Sequence, residues 1–313
     1  MSPGVQRLVA ITGATGFLGQ HLVRAFADAG WRVRILARRD PVSPFWVGLD
    51  PEVICGDLAD EEALRRLCEG AEVVVHAGGR IGGGEPGLRR VNVEGARRVA
   101  RAARAAQVGH LLQISSITAR EPQLSPYAAS KRGGEDAVRA ILGGAVTVVR
   151  PPVIYGPGDR ETLRLFRLAA VSPVLPVLNP AARIAIVHVQ DAARQIVTLA
   201  RSQISGVVTL SDGHPEGYSW SELMQAAAEA AKRRVQLIRV PTAALYVIAF
   251  LEGFKSSWRD TGAVLTFGKV KELTHWDWGL DSDERAGGAQ ASEFDLRSGF
   301  QQTIGWYRSK GWL

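Results

Sequence analysis

A glycine-rich turn near the start of the sequence constrains the fold most strongly. The turn reads ITGATGFLG from Ile11, between an apolar segment at 7–11 that predicts a buried strand and a predicted helix at 17–28. Its three glycines are spaced by three: Gly13, Gly16 and Gly19. They would allow a tight turn, approach of a phosphate to the backbone, and close helix packing. The turn therefore predicts an anion site at the helix N-terminus, and the alternative is a glycine-rich loop without a ligand.

The first half of the sequence alternates short apolar segments with helical ones. Strands are predicted at 7–11, 32–37, 52–54, 72–76, 110–115 and 145–150. Helices are predicted between them at 17–28, 61–68, 93–106 and 127–142. Short apolar strands separated by helices are typical of right-handed βαβ units, so this half predicts a parallel sheet.

The second half is less regular and is predicted to form a smaller cap on the first. Strands are predicted at 184–189, 207–210 and 235–240, and helices at 191–201, at 219–232 and at 242–254. Ser219 and Glu222 have the spacing of a capping box. Residues 282–294 are polar and rich in Gly and Ala, which predicts a loop. The helix at 242–254 is apolar on most sides, which favours core packing or a dimer face over membrane contact.

Charge and cysteine content narrow the functional class. Lys and Arg number 38 against 31 Asp and Glu, a net charge of +7. The basic residues are spread along the chain, so we expect a pocket for an anionic small molecule and no nucleic-acid partner. Cys55 and Cys68 lack metal-ligand spacing, so we expect no metal. Two thiols, no signal-like N-terminus and no apolar run longer than 243–251 predict a cytoplasmic protein without an integral membrane segment.

The residues at the end of the second predicted strand indicate which anion is bound. It reads Ala37, Arg38, Arg39, Asp40, whereas an NAD site usually has an acidic residue directly at the strand end. Arginine there would pair with a 2′-phosphate, which favours NADP(H) and leaves NAD(H) possible. The alternative is a solvated pair of loop charges. Asp57, in the sequence GDL, could accept a hydrogen bond from an adenine amino group, or it could be an N-cap or turn residue.

The segment SPYAASK predicts acid–base chemistry. Tyr127 and Lys131 are four residues apart, so on a helix they share one face. A phenol titrates near pH 10, and a nearby ammonium is expected to lower that pKa. Ser116 ends the preceding strand and could hydrogen-bond the same substrate oxygen. Together these side chains would polarise a carbonyl or deprotonate an alcohol.

These motifs, in this order, resemble the extended short-chain dehydrogenases/reductases of the NAD(P)-dependent epimerase/dehydratase type. The matching segments are TGATGFLG (12–19), GDL (56–58), HAGG (76–79), VNVEG (91–95), ISS (114–116), YAASK (127–131), RPPVIYGPGD (150–159) and VHVQDAA (187–193). The tail TIGWYRSKGWL (303–313) is similar to members related to 3β-hydroxysteroid dehydrogenases and dihydroflavonol reductases. The resemblance covers the first two-thirds of the chain and its end.

The resemblance implies an α/β fold: a Rossmann doubly wound parallel sheet with helices on both faces and a smaller α+β C-terminal part. Residues 1–155, with 184–212 returning, would bind NAD(P), and residues 156–183 and 213–313 would bind substrate. The implied catalytic triad is Ser116, Tyr127 and Lys131, with Ser116 preferred over its neighbour Ser115. The implied cofactor-binding residues are Gly13, Thr15, Gly16, Phe17, Leu18, Gly19, Arg38, Asp57, Leu58, Ala77, Gly78, Gly79, Tyr127, Lys131, Pro151 and Val153.

The expected function is an NAD(P)-dependent oxidoreductase that moves hydride between the cofactor and a carbonyl or secondary alcohol on a small-molecule substrate. One alternative is an NAD-dependent sugar-nucleotide epimerase without net redox change. Another is a non-catalytic NADP-sensing or assembly protein. Ile117 and Thr118 stand where sugar-nucleotide dehydratases carry Asp and Glu, which argues against dehydration. A homodimer is possible by resemblance.

Seven further residues have structural interpretations. His76 and His188 lie in apolar runs, which favours buried structural histidines over catalytic bases. Asn92 could cap a helix or support the catalytic face. Asp191 is predicted to cap the helix that follows it. The aromatic residues of the tail, Trp306, Tyr307 and Trp312, are predicted to pack it onto the body.

Overall fold

A computed structural model describes residues 7–259, 266–280, 284–286 and 292–313. Its strands are β1 (Leu8–Thr12), β2 (Arg32–Ala37), β3 (Glu52–Cys55), β4 (Val73–His76), β5 (His110–Ile114), β6 (Val146–Arg150), β7 (Val153–Tyr155), β8 (Val174–Val177), β9 (Arg183–Ile184), β10 (Ile186–His188), β11 (Gly206–Thr209), β12 (Gln236–Arg239), β13 (Asp277–Trp278) and β14 (Arg285–Ala286). Its α-helices are α1 (Phe17–Asp28), α2 (Glu61–Cys68), α3 (Glu85–Leu88), α4 (Ala96–Ala105), α5 (Pro126–Leu142), α6 (Leu163–Val171), α7 (Val189–Ser202), α8 (Trp220–Ala231), α9 (Thr242–Arg259), α10 (Phe267–Thr274) and α11 (Leu296–Ser309). A π-helical segment, Arg89–Gly95, joins α3 to α4, and a 3₁₀ turn, Ile117–Arg120, follows β5.

A parallel sheet organises the molecule, as the sequence predicts. Its strand order is β3-β2-β1-β4-β5-β6-β11, with the two-residue β14 at the edge beside β11. The strand order reverses between β1 and β4, which pair with Thr12 opposite His76. In doubly wound sheets, ligands bind where the order reverses, outside the carboxyl ends of the strands. The topology therefore directs attention to the residues after Thr12 and His76.

Both faces of the sheet are covered by helices. Along β1, Val9 and Ile11 pack into one core with α1 and α7, while Leu8 and Ala10 pack into the other with α2 and α4. Because each strand is buried on both faces, it reads as a continuous apolar run. For this reason β1, β4 and β6 could be predicted from the sequence.

The C-terminal part has its own core around Phe166 of α6 and Phe300 of α11. Three two-stranded pairs, β7 with β10, β8 with β12, and β9 with β13, surround it. The capping box of Ser219 and Glu222 is present at the start of α8. The tail packs as predicted: Trp312 stacks on Tyr307, and the Tyr307 hydroxyl donates a hydrogen bond to the carbonyl of Asp159.

The structure differs from the sequence predictions in several places. The predicted strand at 184–189 is two short strands, β9 and β10, and the apolar helix at 242–254 continues to Arg259. Asp191 is not the cap of α7. His188 caps it instead, and Asp191 accepts hydrogen bonds from the backbone of Glu293 and Phe294.

The predicted loop at 282–294 contains β14, and its residues 282–283 and 287–291 lie outside the described residues. Within the described parts of the chain, no helix is long and apolar enough to cross a membrane.

Helix α5, which carries Tyr127, is in close contact with the π-helical segment, and this contact fixes its position. A Cβ added at Gly134 of α5 would overlap the carbonyl oxygen of Asn92. A side chain there would push the two backbones apart. Gly134 therefore allows α5 to lie directly against the π-helical segment.

We expect Gly134→Ala to lower the free energy of unfolding by about 1–3 kcal/mol, because overpacking outweighs the better helix propensity of alanine. Gly305→Ala is the matched control, because Gly305 is also helical and an added Cβ meets nothing within 4 Å. The control should be neutral or more stable by up to about 1 kcal/mol. Urea unfolding followed by circular dichroism measures both. Equal effects of the two changes would contradict the close-contact explanation.

Candidate active site

A cleft of about 670 Å³ opens where the strand order reverses. Its lining residues come from the end of β2, from the turns after β1, β2, β3 and β4, from the π-helical segment and from the first turn of α4. They are Gly13, Thr15, Gly16, Leu36, Ala37, Arg38, Gly56, Asp57, Leu58, Ala59, Ala77, Gly78, Gly79, Arg80, Arg90, Val91 and Arg98. The size and the four-strand lining suit one extended small molecule.

The glycine turn is built for close backbone approach. Gly13 has a φ of +71°, and a Cβ there would lie 2.6 Å from the backbone of Ala77. A Cβ on Gly19 would overlap the carbonyl of Gly13. Gly16 is the N-cap of α1 and has no side chain to occupy the helix N-terminus. The turn therefore presents backbone N–H groups to an anion, and these residues fit the pyrophosphate of a dinucleotide.

Nine of the sixteen residues predicted to bind cofactor line this cleft: Gly13, Thr15, Gly16, Arg38, Asp57, Leu58, Ala77, Gly78 and Gly79. Phe17, Leu18 and Gly19 form the first turn of α1. Pro151 and Val153 lie after β6, where the Pro151 carbonyl accepts a hydrogen bond from Ile117 N. As cofactor ligands, all of these residues stay predictions.

Arginines are concentrated in the cleft. Arg38 lines it, together with Arg80, Arg90 and Arg98, which the sequence did not single out. Arg80 follows the motif HAGG directly, which was a usable signal. Asp57 accepts a hydrogen bond from the backbone of Ala59 at 2.7 Å, which is the turn role left open above. The cleft thus combines backbone donors with several guanidinium groups.

Tyr127 lies in the first turn of α5, whose N-cap is Ser125. Ser116, two residues after β5 and the N-cap of the 3₁₀ turn, accepts hydrogen bonds from Thr118 N at 3.2 Å and Thr118 Oγ1 at 3.0 Å. The pKa of Tyr127 is raised to about 12, mainly by burial; a hydrogen bond with Ser116 opposes the shift, and the Glu272 carboxylate adds to it. The direction is opposite to the lowered pKa expected from the sequence, because desolvation of the phenolate dominates. The phenol is therefore protonated at neutral pH.

Lys131 is buried one turn further along α5. Its Nζ donates a hydrogen bond to the carbonyl of Ile114 at 2.8 Å. Burial lowers the pKa of Lys131 to about 8, and Glu135 opposes the shift. A Cβ on Gly79 would lie 3.6 Å from the ammonium nitrogen, so Lys131 lies directly behind the cleft wall. Tyr127 is thus hydrogen-bonded with Ser116, and Lys131, one turn further along the same helix, lies behind the cleft wall. As a catalytic triad, the three residues stay a prediction.

Asn92 supports this face and does not cap a helix. It is buried in the middle of the π-helical segment. Its Oδ1 accepts from Arg80 N at 2.8 Å, and its Nδ2 donates to Arg80 O at 2.9 Å and to Ser130 Oγ at 2.8 Å. Single π-helical turns within α-helices are often found at functional sites. Asn92 therefore ties the cleft residue Arg80 to the helix that carries Tyr127 and Lys131.

A buried ionic network anchors α5 from below. Glu135 is fully buried and accepts two hydrogen bonds from Arg150 of β6, at 2.9 and 2.6 Å. Ser115 donates to the same carboxylate at 2.5 Å. Arg150 also pairs with Glu284 at 2.5 Å. Glu135 follows Lys131 by one turn on the same helix face. This spacing could have identified Glu135 from the sequence.

A second carboxylate reaches this region from the C-terminal part. Glu272 of α10 is buried and accepts a hydrogen bond from Ser125, the N-cap of α5. Gly268 permits this contact, because an added Cβ would lie 2.8 Å from Ser125 Cβ. No sequence spacing connects residues 147 positions apart, so this contact was not predictable.

His76 and His188 have structural positions, as predicted. His76 is fully buried with Nδ1 2.6 Å from Thr12 Oγ1, and burial lowers its pKa to about 3. Burial lowers the pKa of His188 to about 4. Both are neutral at physiological pH. The described residues contain no cluster of three or more His, Cys, Asp or Glu that could hold a metal ion.

The doubly wound sheet, the glycine turn and the cleft at the reversal of strand order define a dinucleotide-binding protein. The chain belongs to the NAD dependent epimerase/dehydratase family, whose model matches residues 9–209.

Comparisons with individual proteins agree with this membership. The chain is 51% identical over 314 residues to "Ceramide reductase" of Caulobacter vibrioides (strain NA1000 / CB15N), covering 100% of this chain and 98% of that protein. It is 32% identical over 175 residues to "2-alkyl-3-oxoalkanoate reductase" of Stenotrophomonas maltophilia (strain K279a), covering 49% of this chain and 52% of that protein.

Among solved structures, the fold matches "MoeE5 in complex with UDP-glucuronic acid and NAD" at a TM-score of 0.73. That match has 21% identity and covers 97% of this chain and 99% of that one.

The lowered pKa of Lys131 makes a prediction about stability. Between pH 8 and 10.5, Lys131 is protonated in the unfolded chain but has lost its proton in the folded one. The contribution of Lys131 to the free energy of unfolding therefore rises by about 3 kcal/mol over this pH range. Wild type should therefore gain stability relative to Lys131→Met between pH 7.5 and pH 10.5 in urea unfolding. Parallel curves for the two proteins would show that Lys131 is not desolvated.

Proposed function

We propose that the protein is an NADP(H)-preferring carbonyl reductase that acts on the ketone form of a ceramide-type lipid, with Ser116, Tyr127 and Lys131 as its catalytic residues. The observation that carries the proposal is the position of Lys131 directly behind the cleft wall at Gly79, one helical turn after Tyr127, which is hydrogen-bonded with Ser116. Residues 1–155 and 184–212 would bind the cofactor. Residues 156–183 and 213–313 would bind the substrate.

The chemistry follows from the protonation states. A bound nicotinamide nucleotide supplies hydride to the carbonyl carbon. Ser116 and Tyr127 hydrogen-bond the carbonyl oxygen, and Tyr127 transfers its proton to that oxygen as the alkoxide develops. Because the pKa of Tyr127 is raised to about 12, the phenol holds this proton at neutral pH. Lys131, with a pKa of about 8, is mostly charged at neutral pH and stabilises the resulting phenolate.

The relatives support the substrate class. The relative that matches over the full length is named a ceramide reductase, and the half-length relative is named a reductase of an alkyl-substituted oxoalkanoate. A ceramide carries a secondary alcohol, which is what hydride and proton transfer to a ketone produces. The residues after Ser116 are Ile117 and Thr118, so the turn offers no carboxylate pair for dehydration.

The arginines of the cleft support the cofactor preference. Arg38 follows β2, where a ribose 2′-phosphate would lie, and Arg80, Arg90 and Arg98 line the same cleft. Guanidinium groups bind phosphate through paired charge-assisted hydrogen bonds.

The direct test supplies NADPH and a ceramide whose secondary alcohol has been oxidised to the ketone, dispersed in detergent. We expect loss of NADPH absorbance, with one alcohol product formed per NADPH and identified by mass spectrometry. UDP-glucose serves as the comparison substrate. Its conversion to UDP-galactose without net change in cofactor, together with no reaction of the lipid ketone, would support the epimerase alternative.

Tyr127→Phe keeps the ring and removes the proton that is transferred. Turnover should fall by about 10²–10⁴-fold, because general acid catalysis contributes a factor of that size. NADPH affinity, measured by fluorescence titration, should change less than about threefold. Retained turnover would remove Tyr127 from the mechanism.

Arg38→Ala should raise KM for NADPH by about 10–100-fold and leave KM for NADH within about threefold, because it removes a charge-assisted bond to the 2′-phosphate. Arg39→Ala is the matched control, since Arg39 is the adjacent arginine and is not part of the cleft lining. Its KM values should match wild type. Equal losses for both cofactors in Arg38→Ala would assign Arg38 to another part of the dinucleotide.

A further inference from the structure

Helix α9 exposes an apolar face. At roughly 100° per residue, Leu245 and Ala249 lie on one side of the helix, where they pack against Val270 of α10. The opposite side carries four exposed apolar residues, with exposed fractions of 45–62%: Val247, Ile248, Phe250 and Leu251. A helix that is apolar on both sides normally has both sides buried. The exposed side, which we call the α9 face, is therefore expected to meet an apolar phase.

Helix α10 extends this surface. Phe267, at its first position, is 51% exposed, and its ring stacks on Tyr246 of α9 with the centroids 5.8 Å apart. Aromatic rings beside an exposed apolar helix face are common where proteins meet a membrane interface.

The described residues that precede α9 and those of α10 carry exposed charges of one sign. In residues 232–251 and 266–276, every exposed charged side chain is basic: Lys232, Arg233, Arg234, Arg239, Lys269 and Lys271. The one acidic residue in these ranges, Glu272, is buried. Arg239 ends the strand that precedes α9, and Lys271 lies on α10, which packs against α9, whereas Lys269 pairs with Glu272. Exposed basic residues beside an apolar face complement a bilayer that contains anionic lipid.

The same charges argue against a second copy of the chain. In a twofold dimer through the α9 face, each copy would bring its own Arg239 and Lys271 to the interface. Like charges brought together at an interface oppose association.

The α9 face lies one helix away from the catalytic residues. Phe267 contacts α9, and its neighbour Gly268 packs against Ser125, which caps α5 two residues before Tyr127. Helix α10 is therefore shared between this surface and the active-site helix. A lipid substrate could remain largely in a bilayer while its polar end approached Tyr127.

We propose that the α9 face is a membrane-docking surface that binds the apolar–polar interface of an anionic phospholipid bilayer. The proposed membrane contact is inferred from the exposed apolar residues and the charged residues near them. Its role in delivering lipid substrate rests on the proposed function.

The test is sedimentation of the full-length protein with vesicles of phosphatidylcholine and phosphatidylglycerol at a 7:3 ratio, without cofactor or substrate. Binding is expected, and it should weaken in pure phosphatidylcholine and at high salt. Phe250→Asp/Leu251→Asp should lower the partition coefficient by at least about tenfold, because two apolar side chains no longer enter the bilayer. Lys271→Glu should lower it by about fivefold or more.

Two controls separate this effect from a general loss of structure. Val171→Asp changes an exposed valine at the end of α6 and should bind vesicles like wild type. Phe250→Ser/Leu251→Ser is the milder pair, and its circular dichroism and thermal unfolding should match wild type. If the aspartate pair is unfolded, the serine pair decides.

Three results would overturn the proposal. Wild type that fails to bind the anionic vesicles excludes membrane docking. Binding that survives both pairs of substitutions places the contact elsewhere on the protein. A dimer in sedimentation equilibrium that the serine pair dissociates, without vesicle binding, assigns the α9 face to a second copy. Because no turnover is measured, failure of the ceramide-type lipid as substrate leaves these outcomes intact.

Discussion

The buried pairing of Arg150 with Glu135 is the interaction on which the site depends. Glu135 is fully buried, and Arg150 is 6% exposed. Desolvating two charges is expensive, and only good geometry with all hydrogen bonds made offsets it. Here the Arg150 guanidinium donates two hydrogen bonds to Glu135 and one to Glu284. Ser115 donates a further hydrogen bond to the Glu135 carboxylate. The pair fixes α5 against β6, and so fixes where Tyr127 and Lys131 stand. It also keeps a negative charge near Lys131, where it opposes the effect of burial on the Lys131 pKa.

The fold was predictable from the sequence because its strands are buried on both faces. Segments such as VVVH at β4 and VTVVR at β6 are short, apolar and bounded by turns. The glycine turn was also visible, because Gly13 and Gly19 are required by contacts within the turn and with the neighbouring strand end. Tyr127 and Lys131 of the SPYAASK motif were correctly predicted to lie four residues apart on one helix. In each case the decisive interactions are local, or they repeat with the period of the element.

The missed features depend on contacts between distant segments. Glu272 reaches Ser125 across 147 positions, and β14 joins the sheet from a segment whose composition is typical of a loop. The pKa of Tyr127 was predicted in the wrong direction, because spacing showed the neighbouring ammonium but not the extent of burial. Asp191 looked like a cap from its position, yet His188 begins the helix and Asp191 holds the chain before α11. Periodicity identifies elements, and it carries little information on which side chains meet.

The electrostatics of the site favour the protonation state of Tyr127 that the reductive direction of the proposed reaction needs. A phenol whose pKa is raised to about 12 gives up its proton only when an acceptor of comparable basicity forms beside it. An alkoxide produced by hydride addition to a ketone is such an acceptor. Oxidation of an alcohol would instead require the phenolate, which burial and Glu272 both disfavour. The carboxylate of α10 therefore acts on Tyr127 of α5, and α10 also packs against α9. In the proposed enzyme, the helix that biases Tyr127 toward proton donation is the same helix that joins it to the membrane-docking surface.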